Sequence, residues 1–356
     1  MSHVMLLVGT RKGLFIFESR DGRKTWSQRG PFCENWPIMH ATWDPKSRAI
    51  IAGGGNAWFG PAVWKSTDMG ETWTHSSQGL SYPEGEEGTV AVWSLARAGD
   101  ALYAGVEPAG LFRSLDDGES WSEVAALRAH PTREHWMPGG GGLILHRVLP
   151  DAADPRRLLV TISAGGAYAT EDGGETWEPR NKGVFMSFLP EEAQDQPAGQ
   201  CVHRVVRDAA GTLFQQHHGG LYRSDDDGRH WTSIAEGLPS DFGFAMVAHP
   251  HRAGTVFVVP LESDNARYVP GGKAAIWRTK DGGASWQEVR AGFPDEPMYL
   301  NVLRGALTAD TLDPAGIYFG SATGQLFASS DDGDSWQQIP GLLPVISSVE
   351  AAVIEE

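Results

Sequence analysis

Short runs of alternating apolar and polar residues recur along the whole chain, separated by segments rich in Gly, Asp and Ser. Residues 13–17, 102–105, 110–113 and 201–206 are four of these runs. A run of about four to eight residues with apolar side chains at every second position is typical of a β-strand that buries one face. The pattern therefore predicts an all-β protein built from many short strands.

A turn motif, Ser/Thr-x-Asp-x-Gly-x-x-Trp, follows the third strand of each predicted unit. It occupies residues 66–73, 114–121, 170–177, 224–231, 279–286 and 329–336, and a variant with its Gly one position early occupies 19–26. The closing residues are Trp26, Trp73, Trp121, Trp177, Trp231, Trp286 and Trp336, at intervals of 47 to 56 residues. Gly allows the left-handed backbone of a tight turn, and Asp accepts hydrogen bonds from nearby backbone N–H groups. We therefore interpret the motif aspartates as turn formers.

Four short strands in each repeat of this length form the pattern of a propeller blade. The seven repeats predict a seven-bladed β-propeller with four-stranded antiparallel blades, covering residues 1–356 as a single domain. The first repeat lacks its innermost strand, whereas a spare strand, 345–354, follows the last motif. We expect this C-terminal strand to join the N-terminal blade and close the ring, which removes the unpaired strand edges.

The repeated turn resembles the Asp-box (BNR) repeat, and the chain is similar to the sialidase-like propeller superfamily and to WD40/YVTN/BNR-like repeat proteins. That superfamily includes sialidases, xyloglucanases, the sortilin ectodomain and a photosystem II assembly factor. The resemblance implies a hydrolase of glycosyl hydrolase type that acts on a glycan-derived ligand. Sialidases of this kind use an arginine triad and a Phe/Tyr-Arg-Ile-Pro motif, and neither is recognisable here. Sialidase activity itself is therefore not expected.

Charge and composition restrict the partners further. The 45 acidic and 29 basic side chains give a formal net charge of −16, which disfavours nucleic acids and anionic membranes as partners. The N-terminal apolar run is too short for a signal peptide or a membrane span. Two cysteines, Cys33 and Cys201, are too few for a disulfide framework. The expected location is the cytoplasm.

Blade topology places the motif turns on one face of the propeller and the longer loops on the other, which is the predicted binding face. Aligning the predicted innermost strands puts seven residues at one height: His40, Ser94, His146, His203, Ala245, Arg304 and Ser347. Three imidazoles and one guanidinium should then point into a common central space. Cys201 lies two residues before His203 and is interpreted as a small buried thiol.

This central space has three interpretations, namely a water-filled polar channel, a substrate pocket and a transition-metal site. In a substrate pocket, the residues expected to bind a small polar or carbohydrate-like ligand are Arg11, His130, Arg133, His217 and Arg304. The candidate catalytic residues are Glu107, His146 and His203. A Zn, Cu or Fe ion would be bound by His40, His146, His203 and His218, since imidazole is a common ligand for these metals.

A non-catalytic scaffold that binds a protein partner is a further alternative. Exposed apolar patches often mark interaction sites. The residues that would form such a patch on the predicted binding face are Trp36, Trp58, Phe59, Phe185 and Phe188.

Overall fold

A computed structural model describes residues 3–186, 190–191, 194 and 196–355. Its strands, in chain order, are β1 (His3–Thr10), β2 (Gly13–Ser19), β3 (Ser27–Phe32), β4 (Ile38–Asp44), β5 (Ala49–Asn56), β6 (Gly60–Ser66), β7 (Thr74–Ser76), β8 (Ala91–Ala98), β9 (Ala101–Glu107), β10 (Gly110–Ser114), β11 (Ser122–Glu123), β12 (Leu145–Pro150), β13 (Leu158–Ile162), β14 (Gly166–Thr170), β15 (Glu178–Pro179), β16 (Val202–Arg207), β17 (Leu213–His217), β18 (Gly220–Ser224), β19 (Thr232–Ser233), β20 (Gly243–Ala248), β21 (Val256–Pro260), β22 (Ile276–Thr279), β23 (Gln287–Val289), β24 (Leu307–Ala309), β25 (Ile317–Gly320), β26 (Leu326–Ser329), β27 (Gln337–Ile339) and β28 (Ile346–Ile354). Helix α1 (Ala125–Arg128) and short 3₁₀ turns lie in the loops.

These strands form seven four-stranded antiparallel sheets, so the predicted seven-bladed β-propeller is confirmed. Blade one consists of β28, β1, β2 and β3, in that order. Each later blade takes four consecutive strands, so that blades two to seven begin with β4, β8, β12, β16, β20 and β24. The first strand of each blade is the innermost one and faces the central channel.

The ring closes through the C-terminal strand, as predicted. Strand β28 pairs antiparallel with β1, with Val4 opposite Val353 and Val8 opposite Val349. Val4, Val8 and Val349 are buried in a core that joins blade one to blades six and seven. The first and last strands therefore share one sheet, and the inner edge of β1 is paired.

The turn motif has the structural role that its sequence predicts. In the second copy, the Asp68 carboxylate accepts a hydrogen bond from the Thr72 N–H at 2.9 Å, and the Gly70 N–H donates to Ser66 Oγ at 2.8 Å. The hydrogen bonds from Thr72 and Ser66 lower the pKa of Asp68 to about 2. The same contacts recur around Asp116, Asp172, Asp281 and Asp331. These carboxylates are therefore committed to the turns.

The motif tryptophans lie at equivalent positions but differ in burial. Trp121, Trp177, Trp231 and Trp336 are buried, whereas Trp26, Trp73 and Trp286 are half-buried. Trp231 Nε1 donates to the Arg180 carbonyl of the preceding blade at 2.8 Å, so this ring joins blades four and five. Within the described residues, no helix is long and apolar enough to cross a bilayer.

Candidate functional site

A pocket of about 820 Å³ opens on the face opposite the motif turns. Its walls come from the loops that enter blades four to seven, and from the connections between the second and third strands of blades four to six. This is the predicted binding face. The pocket lies over blades four to seven.

Three metal-ligating side chains meet in the wall of the pocket: Cys201, His203 and His218. One ligand atom from each lies within 4.8 Å of the other two. His203 Nε2 is 3.6 Å from Cys201 Sγ, and the two imidazole rings are 5.4 Å apart between centroids. The structure therefore brings His203 and His218 together, as predicted, with Cys201 as the third member.

The local backbone positions this group. Cys201 precedes β16, and its carbonyl accepts a hydrogen bond from the His218 N–H at 2.9 Å. His203 is the unpaired residue of a β-bulge, because Val202 pairs with His217 whereas Arg204 pairs with Gln216. A bulge redirects the side chain of the extra residue. The His203 imidazole is fixed further by its Nδ1 atom, which lies 2.6 Å from the Gly243 carbonyl oxygen of blade six.

Burial favours the neutral forms of these groups. It lowers the pKa of His203 well below its usual value, and the nearby Arg304 charge lowers it further. Burial also lowers the pKa of His218 and raises that of the Cys201 thiol, although Arg304 partly opposes the effect on the thiol. Neutral imidazoles retain a lone pair that can accept a proton or bind a metal.

Arg304 lies in the same pocket, as predicted, and contacts an aromatic ring. Its Cζ atom is 5.1 Å from the ring centroid of Phe244, and Cζ of Arg267 is 5.5 Å from the same centroid. Arg304 Nε is buried and makes no hydrogen bond with the described residues. Burial lowers the pKa of Arg304, and the Arg267 charge contributes to this. A guanidinium at the wall of a pocket is suited to binding an anion.

A glycine-rich loop, 139–142, forms the wall beside Arg304. A Cβ atom on Gly141 would lie 3.9 Å from Arg304 Nη2. The Ser163 hydroxyl donates to the Gly142 carbonyl at 2.9 Å and accepts from the Ile144 N–H at 3.1 Å, which holds the loop against blade four. Gly142 has φ +89°, and a Cβ atom there would lie 2.6 Å from Glu107 Oε1. The absence of side chains therefore brings the backbone close to both neighbours.

Glu107, a predicted catalytic residue, lies behind this loop and outside the pocket lining. It ends β9, and Trp93 Nε1 donates to its Oε2 at 2.8 Å. Burial raises the pKa of Glu107, and the Trp93 hydrogen bond and the Arg11 charge oppose this effect. Arg11 itself is exposed. Glu107 therefore supports the loop through its position beside Gly142. Its side chain does not line the pocket, where a catalytic residue would have to be.

The predicted convergence of His40, His146 and His203 on one point is wrong. His146 Nε2 lies 2.9 Å from the Val202 carbonyl oxygen of blade five, and its Nδ1 lies 3.5 Å from Thr161 Oγ1. His40 Nδ1 accepts the Leu95 N–H of blade three at 3.2 Å. His146 Nε2 and His40 Nδ1 thus contact the neighbouring blade, and His146 Nδ1 contacts its own blade. His40 and His146 are therefore not members of the group in the pocket wall.

The difference between His40 and the other two histidines is explained by a β-bulge in each of these innermost strands. In blade two the unpaired residue is Met39, because Ile38 pairs with Gly54 and His40 with Gly53. The corresponding unpaired residue is Trp93 in blade three and His146 in blade four. His40 is thus displaced by one position from His146 and His203. A displacement of one residue turns a side chain toward the other face of a sheet.

Three other predicted binding residues lie outside the pocket lining. His130 precedes the 3₁₀ turn Pro131–His135 and accepts the Thr132 N–H at Nδ1, and Arg133 packs over the Trp136 ring. His217 is fully buried at the end of β17 and accepts the Gly219 N–H at Nδ1. Burial lowers its pKa to about 3. These residues support the walls instead of facing a ligand.

Charged residues that the alignment did not single out line the channel. Arg147, Arg204 and Glu350 lie on the innermost strands of blades four, five and one. The charges of Arg147 and Arg204 add to burial in lowering the pKa of His40 to about 3, although His40 belongs to blade two. The channel is therefore polar, as the first interpretation expects. The signal in the sequence is the Arg that follows His146 and His203.

An aromatic patch lies on the rim of blade two. Trp36 stacks on Phe59 with centroids 4.7 Å apart, and Trp58 is 91% exposed. Phe185 is 46% exposed near the pocket, and Phe188 lies outside the described residues.

Comparison with known proteins supports the fold and a distant relationship to glycoside hydrolases. No family model matches the sequence. The chain is 24% identical over 215 residues to an oligoxyloglucan reducing-end-specific xyloglucanase of Emericella nidulans, covering 53% of this chain and 26% of the enzyme. It is 24% identical over 310 residues to a xyloglucanase of Hypocrea jecorina, covering 80% of this chain and 33% of the enzyme. The chain thus spans about a quarter to a third of these relatives.

Solved structures show the same fold at low identity. An ancestral glycoside hydrolase family 74 enzyme superimposes with a TM-score of 0.56 at 15% identity, over 88% of this chain and 38% of that one. YCF48 bound to a D1 peptide superimposes with a TM-score of 0.53 at 16% identity, over 82% and 78%. The protein is therefore a seven-bladed propeller similar to family 74 xyloglucanases and to Ycf48.

Proposed function

We propose that this propeller is a hydrolase whose pocket binds a small, anionic, hydroxyl-rich ligand of carbohydrate origin. The observation that carries the proposal is Arg304, a half-buried guanidinium in the wall of an 820 Å³ pocket that has no carboxylate partner among the described residues. A positive charge without a partner at a pocket wall attracts an anionic ligand, which would bind it with charge-assisted hydrogen bonds.

The rest of the lining suits the same ligand. Phe242 and Phe244 are buried and provide an apolar wall against which a sugar ring can pack. The glycine loop 139–142 brings backbone groups close to Arg304, and Asn301 contributes a side-chain amide to the lining. A few placed polar groups among apolar walls are characteristic of small-molecule sites.

The hydrolytic groups differ from those of the common glycosidase mechanism. That mechanism uses two carboxyl groups about 5 to 9.5 Å apart, on either side of the bond to be cleaved. Among the described residues, the pocket lining contains one carboxylate, Glu134, and it is exposed. Water activation is instead assigned to the neutral Cys201–His203–His218 group. The similarity to xyloglucanases supports a hydrolase that acts on carbohydrates, and we propose that the chemistry occurs at this group.

Ligand binding can be tested with thermal shifts and calorimetry on a panel of uronic and aldonic acids, with the matching neutral sugars as references. The Arg304→Gln variant should lose the stabilisation that the acids produce. Arg156→Gln is the matched control, because Arg156 is exposed and pairs with Asp154 far from the pocket loops. Equal acid binding by Arg304→Gln and the wild type would contradict the proposal, as would no binding of any acid by the wild type.

A peptide-binding scaffold is the second candidate, favoured by the exposed Trp58 and the Trp36–Phe59 stack. The structural similarity to YCF48 bound to a D1 peptide is consistent with it. The test requires a peptide that the wild-type protein binds. A Trp58→Ser variant that loses this peptide, while retaining acid binding at Arg304, would support this second function. Unchanged capture by this variant would count against it.

A further inference from the structure

We infer that Cys201, His203 and His218 form a binding site for a transition metal ion of the Zn²⁺ class, with an open coordination position facing the pocket. The inference deepens the proposed function, because the metal would be the group that activates water. Metal binding can nevertheless be measured independently of any organic ligand.

The distances fit a tetrahedral ion. Zinc binds thiolate sulfur at about 2.3 Å and imidazole nitrogen at about 2.0–2.1 Å, so a tetrahedral sulfur–nitrogen edge is about 3.6 Å. The observed separation of Cys201 Sγ and His203 Nε2 is 3.6 Å. The ligand atom of His218 lies within 4.8 Å of both.

The surroundings of His203 orient it as a ligand. Its Nδ1 atom lies 2.6 Å from the Gly243 carbonyl oxygen, which can only accept a hydrogen bond. The proton therefore resides on Nδ1, and the Nε2 lone pair is directed toward Cys201. Metal-binding histidines commonly donate their second N–H to a carbonyl or carboxylate in this way. The Asp264 carboxylate lies 3.8 Å from His218 Nε2.

The three ligands are held by one rigid unit. Cys201 lies directly before β16, and His203 is the second residue of that strand. The His218 N–H donates to the Cys201 carbonyl at 2.9 Å. A β-bulge at His203 directs its ring to the same side as the thiol. The group is thus preorganised, and metal binding requires little ordering of the backbone.

The donor types restrict the metal. One thiolate and two imidazoles favour Zn²⁺ or Cu over the oxygen-seeking Mg²⁺ and Ca²⁺. The thiol would release its proton on binding, and its negative charge would offset part of the repulsion between the ion and Arg304. Three protein ligands leave a fourth position for water, which is the arrangement of catalytic zinc sites. A metal lowers the pKa of such a water to near neutrality.

Cobalt and zinc titrations test the inference directly. Metal-free protein titrated with Co²⁺ should develop a thiolate-to-cobalt absorption band and intense tetrahedral bands, at one ion per chain. Zn²⁺ should displace the cobalt, and a chromophoric chelator gives its affinity. Cys201→Ser and His203→Gln should each bind Co²⁺ at least tenfold more weakly than the wild type. Cys201→Ser should lack the thiolate-to-cobalt band, and His203→Gln should lack the intense tetrahedral bands.

Two variants serve as matched controls. Cys33→Ser removes the other cysteine, which is buried in the core of blades one and two, and His135→Gln removes an exposed histidine of the same pocket. Both should retain one cobalt ion per chain with the wild-type spectrum. Near-ultraviolet circular dichroism establishes that each variant is folded before it is titrated.

The outcomes separate the two proposals. A wild-type protein that binds no cobalt, or a folded Cys201→Ser variant with unchanged affinity and spectrum, overturns the metal site. Metal binding without acid binding leaves the metal site standing and overturns the proposed substrate. Acid binding that depends on Arg304, in a protein that binds no metal, leaves the proposed substrate standing and overturns the metal site.

Discussion

The Nδ1 atom of His203 lies 2.6 Å from the carbonyl oxygen of Gly243, so one imidazole joins blade five to blade six while its other nitrogen faces Cys201. The contact uses a residue that the bulge in β16 leaves unpaired. Blade packing and the geometry of the pocket wall therefore depend on the same side chain. His146 makes the equivalent contact between blades four and five, with the Val202 carbonyl oxygen, but no cysteine precedes it by two residues.

His146→Ala should destabilise the fold without affecting metal binding. The substitution removes a buried hydrogen bond to the Val202 carbonyl and leaves a small cavity, at a cost of about 1–3 kcal/mol in the free energy of unfolding. Urea denaturation measures the change. His135→Ala, at an exposed site, should remain within about 0.5 kcal/mol of the wild type. A His146→Ala protein of wild-type stability with no bound cobalt would show that His146 acts as a ligand instead.

Acid should weaken the fold through the motif aspartates. Hydrogen bonds from Thr72 and Ser66 lower the pKa of Asp68 to about 2 from its usual 3.8, and Asp116 and Asp281 shift to a similar value. A carboxyl whose folded-state pKa is depressed stabilises the protein above the unfolded value and loses this contribution as the pH falls toward the folded one. The melting temperature should therefore drop between about pH 4 and pH 2.

The Asp68→Asn variant isolates one such contribution. At pH 7 it should melt below the wild type, because the amide accepts the turn hydrogen bonds more weakly. The difference between the two proteins should shrink as the pH approaches 2, where Asp68 itself becomes protonated. A difference that is constant over this range would mean that the Asp68 charge does not stabilise the turn.

Local periodicity was sufficient to predict the blades, because each Gly and Asp of the motif acts within its own turn. The prediction that His40 lies at the same position as His146 and His203 failed for a different reason. A β-bulge inserts one unpaired residue without changing the apolar pattern, so the alternation of side chains does not show where the register shifts. Met39 is the unpaired residue in blade two, and His40 accordingly makes a contact with Leu95.

The pocket wall was predicted in part. His203, His218 and Arg304 lie in it, and a Cys two residues before His203 was a usable signal for the third member of the group. The glycine loop 139–142 gave no comparable signal, since its position depends on Ser163 and Glu107 in two other segments. Contacts between distant loops are set by the ring as a whole and cannot be obtained from spacing.

The motif tryptophans should differ in their contribution to stability according to burial. Trp177 is 6% exposed and donates its Nε1–H to the Gly174 carbonyl at 3.1 Å, so Trp177→Ala should cost about 3–5 kcal/mol. Trp286 is half-buried and should cost less on truncation. Chemical denaturation of both variants measures the order. Equal losses would mean that the blade interfaces depend on the repeat position and not on the area that each ring buries.

Closure of the ring predicts the behaviour of a chain that ends after Gly341 and so lacks β28. Strand β1 would then expose an unpaired, largely apolar edge, and the core around Val4 and Val8 would lose Ile346 and Val349. An exposed apolar edge promotes association, so the shortened chain should aggregate or melt well below the full chain. Adding a synthetic peptide of residues 342–356 should restore a soluble propeller by pairing with β1. A chain that ends after Ile354 is the control, because it retains every paired residue of β28 and should match the full chain in gel filtration and melting temperature. A shortened chain that is monomeric and melts like this control would show that the other six blades hold blade one closed without its innermost strand.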